Sequence, residues 1–426
     1  MLSKFKISTL ILSAVLTGFT LAGTYSGGTG EPNNPYLIAT AADMNAIGTN
    51  PTDWNKHFKM IDDINMASYS YTKALIAPDT SSNNGFQGTK FTGVFDGNNH
   101  IIFSLEVNDL GAGNDYIGLF GYVGINGQVL NLAVEDVNIK GDDNVSGLIG
   151  WSDLGTVSNS YSTGSISGGD YVSGVVGYNH GTTINCYSNC LVSGTGDYIG
   201  GLIGWNHVGI VYYCYSINSA SGGGYVGGLI GKNNSGTVSN CYSTGIVNGS
   251  YAVGGVMGMN TGIVSSCYST GSINGDYKVG GLVGDNEGIS SSISNCYSTG
   301  SVSGTSEKIG GLVGANYAPI TNCYSTGLVS GTSVVGGLVG ANYGPLSSCY
   351  FLDTAGPDNG LGEPLTDSQL KQQASFVDWD FINIWGIGEN QTYPYLRIYP
   401  AGDLNNDDIV NFADFAILAD HWLAGF

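Results

Sequence analysis

The amino-acid sequence predicts an all-β protein, a right-handed parallel β-helix or solenoid of about nine to ten coils of ~27 residues. First, a Gly-[Leu/Val]-apolar-Gly tetrad returns every 26 to 30 residues. Second, a Cys-Tyr pair keeps the same period. Third, each period holds three short apolar runs separated by Gly, Asn and Ser, and none has helical spacing. Three short strands and three turns per coil predict a rod with three faces.

The repeat can be read directly from the printed sequence. The tetrads begin at Gly118, Gly147, Gly174, Gly201, Gly228, Gly255, Gly281, Gly311 and Gly337. The Cys-Tyr pairs begin at Cys186, Cys214, Cys241, Cys267, Cys296, Cys323 and Cys349, and Ser160 holds the same place in an earlier repeat. A coil of this kind is stable only when its apolar side chains are buried against its neighbours.

Residues at equivalent positions of stacked coils form columns. Asparagines two residues beyond seven tetrads predict a stacked amide ladder in a turn, namely Asn179, Asn206, Asn233, Asn260, Asn286, Asn316 and Asn342. The cysteines predict a column of small buried thiols, because equivalent residues lie about 4.8 Å apart, beyond the Cβ separation of a disulfide. Strained disulfides and metal binding remain alternatives, and Cys190 could pair with Cys186 or stay free. The sequence leaves open whether the cysteine or the tyrosine of each Cys-Tyr pair points inward.

The flanks of the repeat predict five segments. Residues 1–22 have the basic start, apolar stretch and small-residue cleavage site of a signal peptide. Residues 23–117 form an N-terminal cap and first coil, 118–350 the repeat, 351–400 a closing segment, and 401–426 a calcium loop and helix. The net charge of −21 argues against a nucleic-acid partner. After removal of the signal no apolar run is long enough to span a membrane, so we expect a secreted or cell-surface protein.

The repeat unit resembles the GLUG motif of bacterial exported proteins. The consensus GGLVGxNxGxIxNCYSTGxVxG carries this resemblance from Gly118 to about Tyr350. The flanking stretches GGTGEPNNPYLIATAADMNAI and LTDSQLKQQASFVDWDFINIWGIGENQTYPYLRIYP are similar to the caps that accompany such repeats. GLUG repeats occur beside immunoglobulin A peptidase domains and in adhesin-like surface proteins, and are not known as catalytic units. The resemblance therefore implies an architecture more than an activity.

The C-terminal stretch GDLNNDDIVNFADFAILADHWL has the spacing of a calcium-binding loop. Oxygen ligands at positions 1, 3, 5, 7, 9 and 12 would surround one Ca²⁺, and here these are Asp403, Asn405, Asp407, Ile409 through its carbonyl, Asn411 and Asp414. The stretch resembles one half of a type I dockerin, which implies docking to a cohesin-like or cell-envelope protein. Asp408 replaces the usual Gly of the loop, and a second half is absent from the sequence. An acidic tail without a partner is the alternative.

A second candidate site consists of tyrosines and aspartates that precede the tetrads. Stacked aromatic rings beside carboxylates suit the apolar faces and hydroxyls of sugar rings, so we expect an extracellular polysaccharide as ligand of Asp115, Tyr116, Asp170, Tyr171, Asp197, Tyr198, Tyr225, Tyr251, Asp276 and Tyr277. Alternatively, these rings merely cover glycine-rich turns. A column of single threonines, as in flat ice-binding β-helices, is a weaker alternative.

The sequence favours a non-catalytic binding or structural protein over an enzyme. The alternative from another class is a polysaccharide-degrading β-helix lyase or hydrolase, which needs clustered carboxylates or a basic residue near them. Asp285 and Glu287 lie in one turn, with no basic residue at an equivalent repeat position. The five histidines form no His-Glu-x-x-His site, although His180 and His207 are expected to stack.

Overall fold

The computed structural model describes residues 24–81, 85–109 and 115–397, and within them the chain winds into a parallel β-solenoid. Strands of successive coils pair in parallel and in register, one coil above the next. The predicted all-β solenoid is thus confirmed. The signal peptide and the calcium loop and helix lie outside the described residues.

Two sheets run the full length of the rod. The twelve-stranded sheet contains Tyr36–Ile38, His57–Met60, Val94–Asp96, Gln128–Leu130, Thr156–Ser158, Thr182–Ile184, Ile210–Tyr212, Thr237–Ser239, Ile263–Ser265, Ser292–Ser294, Ile320–Thr321 and Leu346–Ser347. The Cys-Tyr sheet contains Ile64–Asn65, Ser70–Tyr71, Ile101–Phe103, Glu106–Asn108, Ala133–Lys140, Tyr161–Gly168, Tyr187–Gly194, Tyr215–Ser216, Ala220–Ser221, Tyr242–Ser243, Val247–Asn248, Tyr268–Ser269, Ile273–Gly275, Tyr297–Ser298, Val302–Gly304, Tyr324–Ser325, Val329–Ser330, Tyr350–Leu352 and Glu363–Leu365.

Two further sheets meet at the tetrads. The tetrad sheet contains Phe120–Val123, Ile149–Ser152, Val176–Asn179, Ile203–His207, Ile230–Asn234, Met257–Asn260, Val283–Asn286, Val313–Asn316 and Val339–Asn342. The six-stranded sheet contains Asp197–Gly200, Gly224–Gly227, Tyr251–Gly254, Tyr277–Gly280, Glu307–Gly310 and Ser333–Gly336. The prediction of three faces is therefore wrong for the later coils, because the segment before each tetrad also pairs with its equivalent and forms a fourth sheet.

The two ends of the rod carry the remaining elements. An α-helix, Ala41–Thr49, begins at the N-cap Thr40, whose side chain forms a capping box with Asp43. Its Met44 and Ile47 are buried in the core. The 3₁₀ turns are Pro51–Asp53, Gln369–Lys371 and Gln373–Ser375, and Trp385–Gly386 pairs antiparallel with Tyr395–Leu396. The closing segment packs Phe376, Trp379 and Trp385 against the Cys-Tyr sheet.

The cysteines face inward and the tyrosines beside them face outward. The residue before the cysteine of each Cys-Tyr pair is in the left-handed conformation, which reverses the usual alternation. These residues have φ between 49° and 53° and are Asn185, Tyr213, Asn240, Ser266, Asn295, Asn322 and Ser348. All eight cysteines are free, buried thiols. The thiol of Cys241 donates to the Ser239 carbonyl at 3.1 Å, and the hydroxyl of Ser160 donates to the Ser158 carbonyl at 2.8 Å in the same way. The column therefore suits a small side chain with a short-range donor.

The predicted amide ladder is present and buried. Each side-chain nitrogen from Asn179 to Asn316 donates to the side-chain oxygen of the next asparagine, at distances of 2.6 to 2.9 Å. The first glycine of the Gly281 tetrad lies close to the backbone of the next coil. A Cβ on Gly281 would lie 2.1 Å from the Gly311 carbonyl oxygen and 2.3 Å from the Ser298 hydroxyl, so only glycine fits there.

Candidate ligand-binding face

The strand register places the predicted tyrosines in one column, with gaps. Hydrogen-bonded equivalents of Tyr116 in later coils are Asn144, Tyr171, Tyr198, Tyr225, Ala252, Lys278, Lys308 and Val334. We call these positions the tyrosine slot. All nine of its residues have φ between 50° and 67°. The slot therefore always turns the chain through the left-handed region, whichever side chain it carries.

Three predicted residues lie outside these columns. Asp197 pairs with Gly224, Gly224 with Tyr251, and Tyr251 with Tyr277. Both tyrosines therefore occupy the aspartate position, one residue earlier than the tyrosine slot. The ring of Tyr251 consequently meets that of Tyr225 edge-on, at 78°. Asp276 precedes this position, and its carboxylate accepts a hydrogen bond from the exposed Thr305 hydroxyl at 2.6 Å. The extension of the tyrosine column through Tyr251 was wrong by one residue of register.

A second aromatic column lies on the tetrad sheet, beside the tyrosine slot. Tyr122, Trp151, Tyr178 and Trp205 are paired in register, four residues after the first glycine of their tetrads. The sequence analysis missed this column, although its signal was present as an aromatic residue at one fixed offset in four consecutive repeats. In the next coils Lys232, Met259 and Asp285 take this position.

Together the two columns form a continuous surface that we call the aromatic strip, made of Tyr116, Tyr122, Trp151, Tyr171, Tyr178, Tyr198, Trp205 and Tyr225. Trp151 stacks on Tyr178 at 4.1 Å between ring centroids, and Tyr198 stacks on Tyr225 at 5.1 Å and 5°. Trp205 lies against both Tyr171 and Tyr198, at 5.6 and 5.2 Å. Tyr116 and Tyr122 are almost fully buried, and the other six rings are partly exposed.

Carboxylates border the first half of the aromatic strip. The Asp143 carboxylate accepts the Asp170 backbone N–H at 2.8 Å, and Asp170 accepts the Asp197 N–H at 2.7 Å. Burial raises the pKa of Asp115 to about 6, and the negative charges of Asp143 and Asp142 raise it further. Burial also raises the pKa of Asp143. The predicted aspartates therefore form a real column here, and two of them are bonded to the coil below.

Lysines lie over the ends and the second half of this face. The ammonium of Lys90 is 4.3 Å from the ring centroid of Tyr122, and that of Lys232 is 4.9 Å from Trp205. Lys278 and Lys308 lie 5.4 Å from Tyr251 and 5.2 Å from Tyr277. These are cation–π distances, and burial lowers the pKa of Lys232.

A buried ion pair occurs where the sequence showed only two acids. The Lys278 ammonium donates to Asp285 at 2.5 Å and to Glu287 at 3.4 Å. Lys278 and Asp285 are almost fully buried, and the Asp285 Oδ1 has no hydrogen-bond partner. Burial raises the pKa of Asp285 to about 7, against the opposing hydrogen bond from Lys278. The prediction of no basic residue at an equivalent repeat position was wrong, because Lys232 occupies the position of Asp285 two coils earlier. Lys278 in addition reaches both acids from the six-stranded sheet.

The two repeat histidines are neighbours without flat stacking. Their rings lie 5.5 Å apart at 54°. His180 Nδ1 contacts Asp153 at 3.4 Å, and His207 Nδ1 contacts the Asn234 amide nitrogen at 2.7 Å. The described part of the chain contains no group of three or more His, Cys, Asp or Glu side chains arranged to hold a metal ion. The predicted calcium ligands from Asp403 to Asp414 fall beyond residue 397 and remain a prediction.

Comparison with known families gives a match to the repeat. The GLUG motif matches residues 222–248 and 275–303. The chain carries GLUG repeats. Both matched segments span the end of one coil and the start of the next, and the second includes the Lys278 ion pair described above.

The GLUG repeats are also similar to parts of two curated proteins. Identity is 32% over 155 residues to halomucin of Haloquadratum walsbyi, covering 35% of this chain and 2% of halomucin. It is 33% over 142 residues to a protein of Evansella cellulosilytica named as a Gly-rich membrane protein, covering 32% of this chain and 15% of that one. The chain therefore spans only a small part of either relative.

One solved structure is similar over most of the length. It is a crystal structure of a candidate immunoglobulin A1 protease from Bacteroides ovatus, with a TM-score of 0.44 and 17% identity over 88% of this chain and 96% of that chain. At this TM-score the likeness supports no conclusion about activity. Separately, no helix within residues 24–81, 85–109 and 115–397 is long and apolar enough to cross a membrane.

The GLUG coils carry another aromatic column that the sequence analysis did not assign to a face. The tyrosines of the Cys-Tyr pairs stack from Tyr161 to Tyr324 at 4.4 to 5.1 Å and 1° to 12°. We call this column the tyrosine ladder. Trp385 of the closing segment covers Tyr297 and Tyr324, which leaves the half around Tyr215 partly exposed.

Proposed function

We propose that this protein is a non-catalytic, secreted or cell-surface binding protein of adhesin type whose aromatic strip binds an extracellular polysaccharide. The observation that carries the proposal is the strip itself, in which two adjacent ring columns run along the rod beside a column of carboxylates. Sugar rings offer apolar C–H faces to aromatic rings and hydroxyls to carboxylates. A strip that repeats once per coil suits a polymer better than a single small molecule.

The comparisons support a location outside the cytoplasm. One relative is named halomucin and the other a membrane protein, and the expected signal peptide would export the chain. The match covers only short parts of both relatives, so nothing else about them is carried over. The rod would then act as a spacer that presents the strip.

The test is polysaccharide binding by the whole mature chain. We expect a Tyr198→Ala/Trp205→Ala variant to lose about tenfold or more in affinity, because each ring contact contributes roughly 0.5–1.5 kcal/mol beyond the buried area. The matched control is Tyr215→Ala/Tyr242→Ala, which removes two partly exposed rings from the tyrosine ladder. Equal losses in both variants, or no binding to any polysaccharide of a broad panel, would refute the proposal. Thermal unfolding of each variant checks that the fold persists.

We propose in addition that the C-terminal segment attaches the protein through Ca²⁺. The support is the ligand spacing from Asp403 to Asp414 and the resemblance to half a dockerin. Calcium titration of the full chain should lose its tight site in an Asp403→Ala/Asp407→Ala variant. Retention on isolated cell envelopes, or on a cohesin-like partner, should fall when calcium is chelated. An unchanged titration in the double variant would contradict this assignment.

A polysaccharide-degrading enzyme is the second candidate. The observation that favours it is the group Lys278, Asp285 and Glu287 beside the ring of Tyr251, since an acid with a pKa raised to about 7 suits proton transfer near neutral pH. Incubation with the same polysaccharides, followed by assays for new reducing ends and unsaturated sugars, tests it. Product formation that disappears in Asp285→Asn would replace the binding proposal with this one.

A further inference from the structure

We propose, resting on the polysaccharide-binding function above, that the bound polymer carries free amino groups and that its ammonium groups bind at the acidic half of the aromatic strip. The site is the interruption of the tyrosine slot at Asn144, between Tyr116 and Tyr171. Asp115 and Asp143 border it in the two adjoining coils. The ligand class is thus a polymer of unacetylated hexosamines.

Within the first five positions of the tyrosine slot, Asn144 is the one residue without an aromatic ring. Asn144 pairs with Tyr116 on one side and with Tyr171 on the other, and it has the same left-handed conformation, φ 54°. Its side chain is 6% exposed, yet its Oδ1 has no hydrogen-bond partner. A buried amide oxygen without a donor is uncommon and costly. The position therefore calls for a hydrogen-bond donor that the described chain does not supply.

The charged side chains that act on Asp115 at this position are carboxylates. The carboxylates of Asp143 and Asp170 each use one oxygen to accept a backbone N–H, and the described residues offer their second oxygens no donor. The buried Asp79 also has one oxygen, Oδ2, without a partner. The charged groups that raise the pKa of Asp115 are all acids, namely Asp143, Asp142, Asp79 and Asp109. A cation bound among them would relieve this mutual repulsion.

The strip already accepts ammonium groups from its own chain. Between residues 141 and 350 the only lysine or arginine residues are Lys232, Lys278 and Lys308. Lys232 lies over Trp205 of the strip, whereas Lys278 and Lys308 lie over Tyr251 and Tyr277, beyond the end of the strip. Two of them, Lys278 and Lys308, stand in the tyrosine slot itself. Rings and carboxylates spaced by one coil therefore form a surface on which an ammonium group is favoured both by the ring faces and by the charges.

The same features argue against other ligand classes. Calcium needs six to eight oxygen ligands in a closed shell, whereas no described group of three acidic, histidine or cysteine side chains is arranged for a metal. A polyanion would face unpaired acceptors and a chain of net charge −21, which attracts polycations and repels polyanions over long range. A neutral polymer would pack its C–H faces against the rings, but it would offer the carboxylates only hydroxyl donors.

The experiment measures binding of the full mature chain to four probes near pH 7, in the presence of a metal chelator. The probes are a glucosamine oligomer, the same oligomer fully N-acetylated, a neutral glucan oligomer and a polyuronate oligomer. We expect the glucosamine oligomer to bind about tenfold or more tightly than its acetylated form, and to weaken as salt is added.

Two variants locate the site. Asn144→Tyr completes the ring column, and the left-handed Tyr171 and Tyr198 show that a tyrosine fits this backbone. This variant and Asp143→Asn should both lower glucosamine-oligomer affinity severalfold without weakening any binding of the neutral oligomer. Asp276→Asn, outside the acidic column, is the control and should change nothing.

The outcomes separate this inference from the function on which it rests. Equal binding of the acetylated or neutral oligomer overturns the inference and leaves the polysaccharide-binding proposal standing. Preference for the polyuronate, or binding that the chelator abolishes, also overturns the inference. If Asn144→Tyr strengthens glucosamine binding, rings alone hold the polymer and the acceptor argument fails. If the protein binds none of the four probes and no other polysaccharide, both proposals are overturned.

Discussion

The buried amide ladder offers a direct measurement of what holds neighbouring coils together, through the substitution Asn233→Ala. The Asn233 side chain is fully buried. Its nitrogen donates to the Asn260 side-chain oxygen at 2.9 Å and to the Gly236 carbonyl at 3.1 Å. Its oxygen accepts from the Asn206 side-chain nitrogen at 2.8 Å. Alanine at this position removes all three hydrogen bonds.

The expected loss follows from these three bonds. Each contributes about 1 kcal/mol net, and each partner left buried without its bond adds a part of its desolvation cost. The Asn206 Nδ2 and the Asn260 Oδ1 keep one bond each, to the Gly209 carbonyl and the Gly262 N–H, so their penalty is partial. We therefore expect Asn233→Ala to lower the free energy of unfolding by about 3–5 kcal/mol. The control is Asn274→Ala, which breaks an exposed ladder bond to Asn248 at 3.1 Å and should cost less than about 0.5 kcal/mol.

Denaturant unfolding followed by tryptophan fluorescence compares the two variants. Because a solenoid can open coil by coil, the two-state assumption fails and a single free energy is not guaranteed. Amide hydrogen exchange of the coils around Asn233 therefore provides the local readout. Equal effects of Asn233→Ala and Asn274→Ala would refute the argument, because it rests on burial of the first ladder and exposure of the second.

Four further results are expected. Gly281→Ala should cost several kcal/mol in unfolding, measured by denaturant, because a Cβ there meets a carbonyl of the next coil at 2.1 Å. Asp115→Asn should stabilise the protein on the order of 1 kcal/mol at pH 8 and not at pH 4. The pKa of Asp115 is about 6 in the folded protein and lower in the unfolded chain. The ionised carboxylate therefore destabilises the fold only as pH rises through these two values. Lys278→Met should cost about 3 kcal/mol by stranding the buried Asp285 carboxylate, and Lys278→Met/Asp285→Leu should recover most of that loss in the same assay. A thiol reagent should titrate the eight cysteines only after unfolding, and fewer reactive thiols would indicate disulfides.

The interior of the solenoid could be predicted from the sequence because stacking enforces the repeat there. The period located the tetrads, and the register of Asn233 with Asn260 follows from it. Likewise Ser160 in place of a cysteine indicated a small buried side chain, and its hydroxyl makes the same bond as a thiol. An interior position has the same neighbour above, below and across the coil, so its residue type repeats. A residue type that repeats at one position of every coil can be recognised from a single sequence.

The outer face could be predicted only in part because its residues change from coil to coil. Tyr251 lies four residues before the first glycine of its tetrad, whereas Tyr225 lies three before. The register is 27 residues on both sides of the corner, so Ala252 takes the tyrosine slot. The contact of Lys278 with Asp285 joins two sheets across a corner, and no period connects them. Trp151 and Trp205 were missed although their offset was regular, because tryptophan and tyrosine alternate there. A contact between side chains of two sheets can be predicted only when the geometry of the corner between them is known, and the sequence alone does not give that geometry.

The tyrosine slot separates what the fold needs from what the surface provides. Its backbone is left-handed in every coil, which costs an ordinary L-residue on the order of 1–2 kcal/mol relative to Gly or Asn. Asn144 meets that requirement at low cost, yet Tyr116, Tyr171, Tyr198 and Tyr225 do not. Ring stacking returns about 0.5–1.5 kcal/mol per pair in addition to the free energy of burying the ring. Tyr116 is almost fully buried, so packing accounts for it. Tyr171, Tyr198 and Tyr225 keep part of their surface exposed, and these exposed parts are the surface that the proposed ligand would contact.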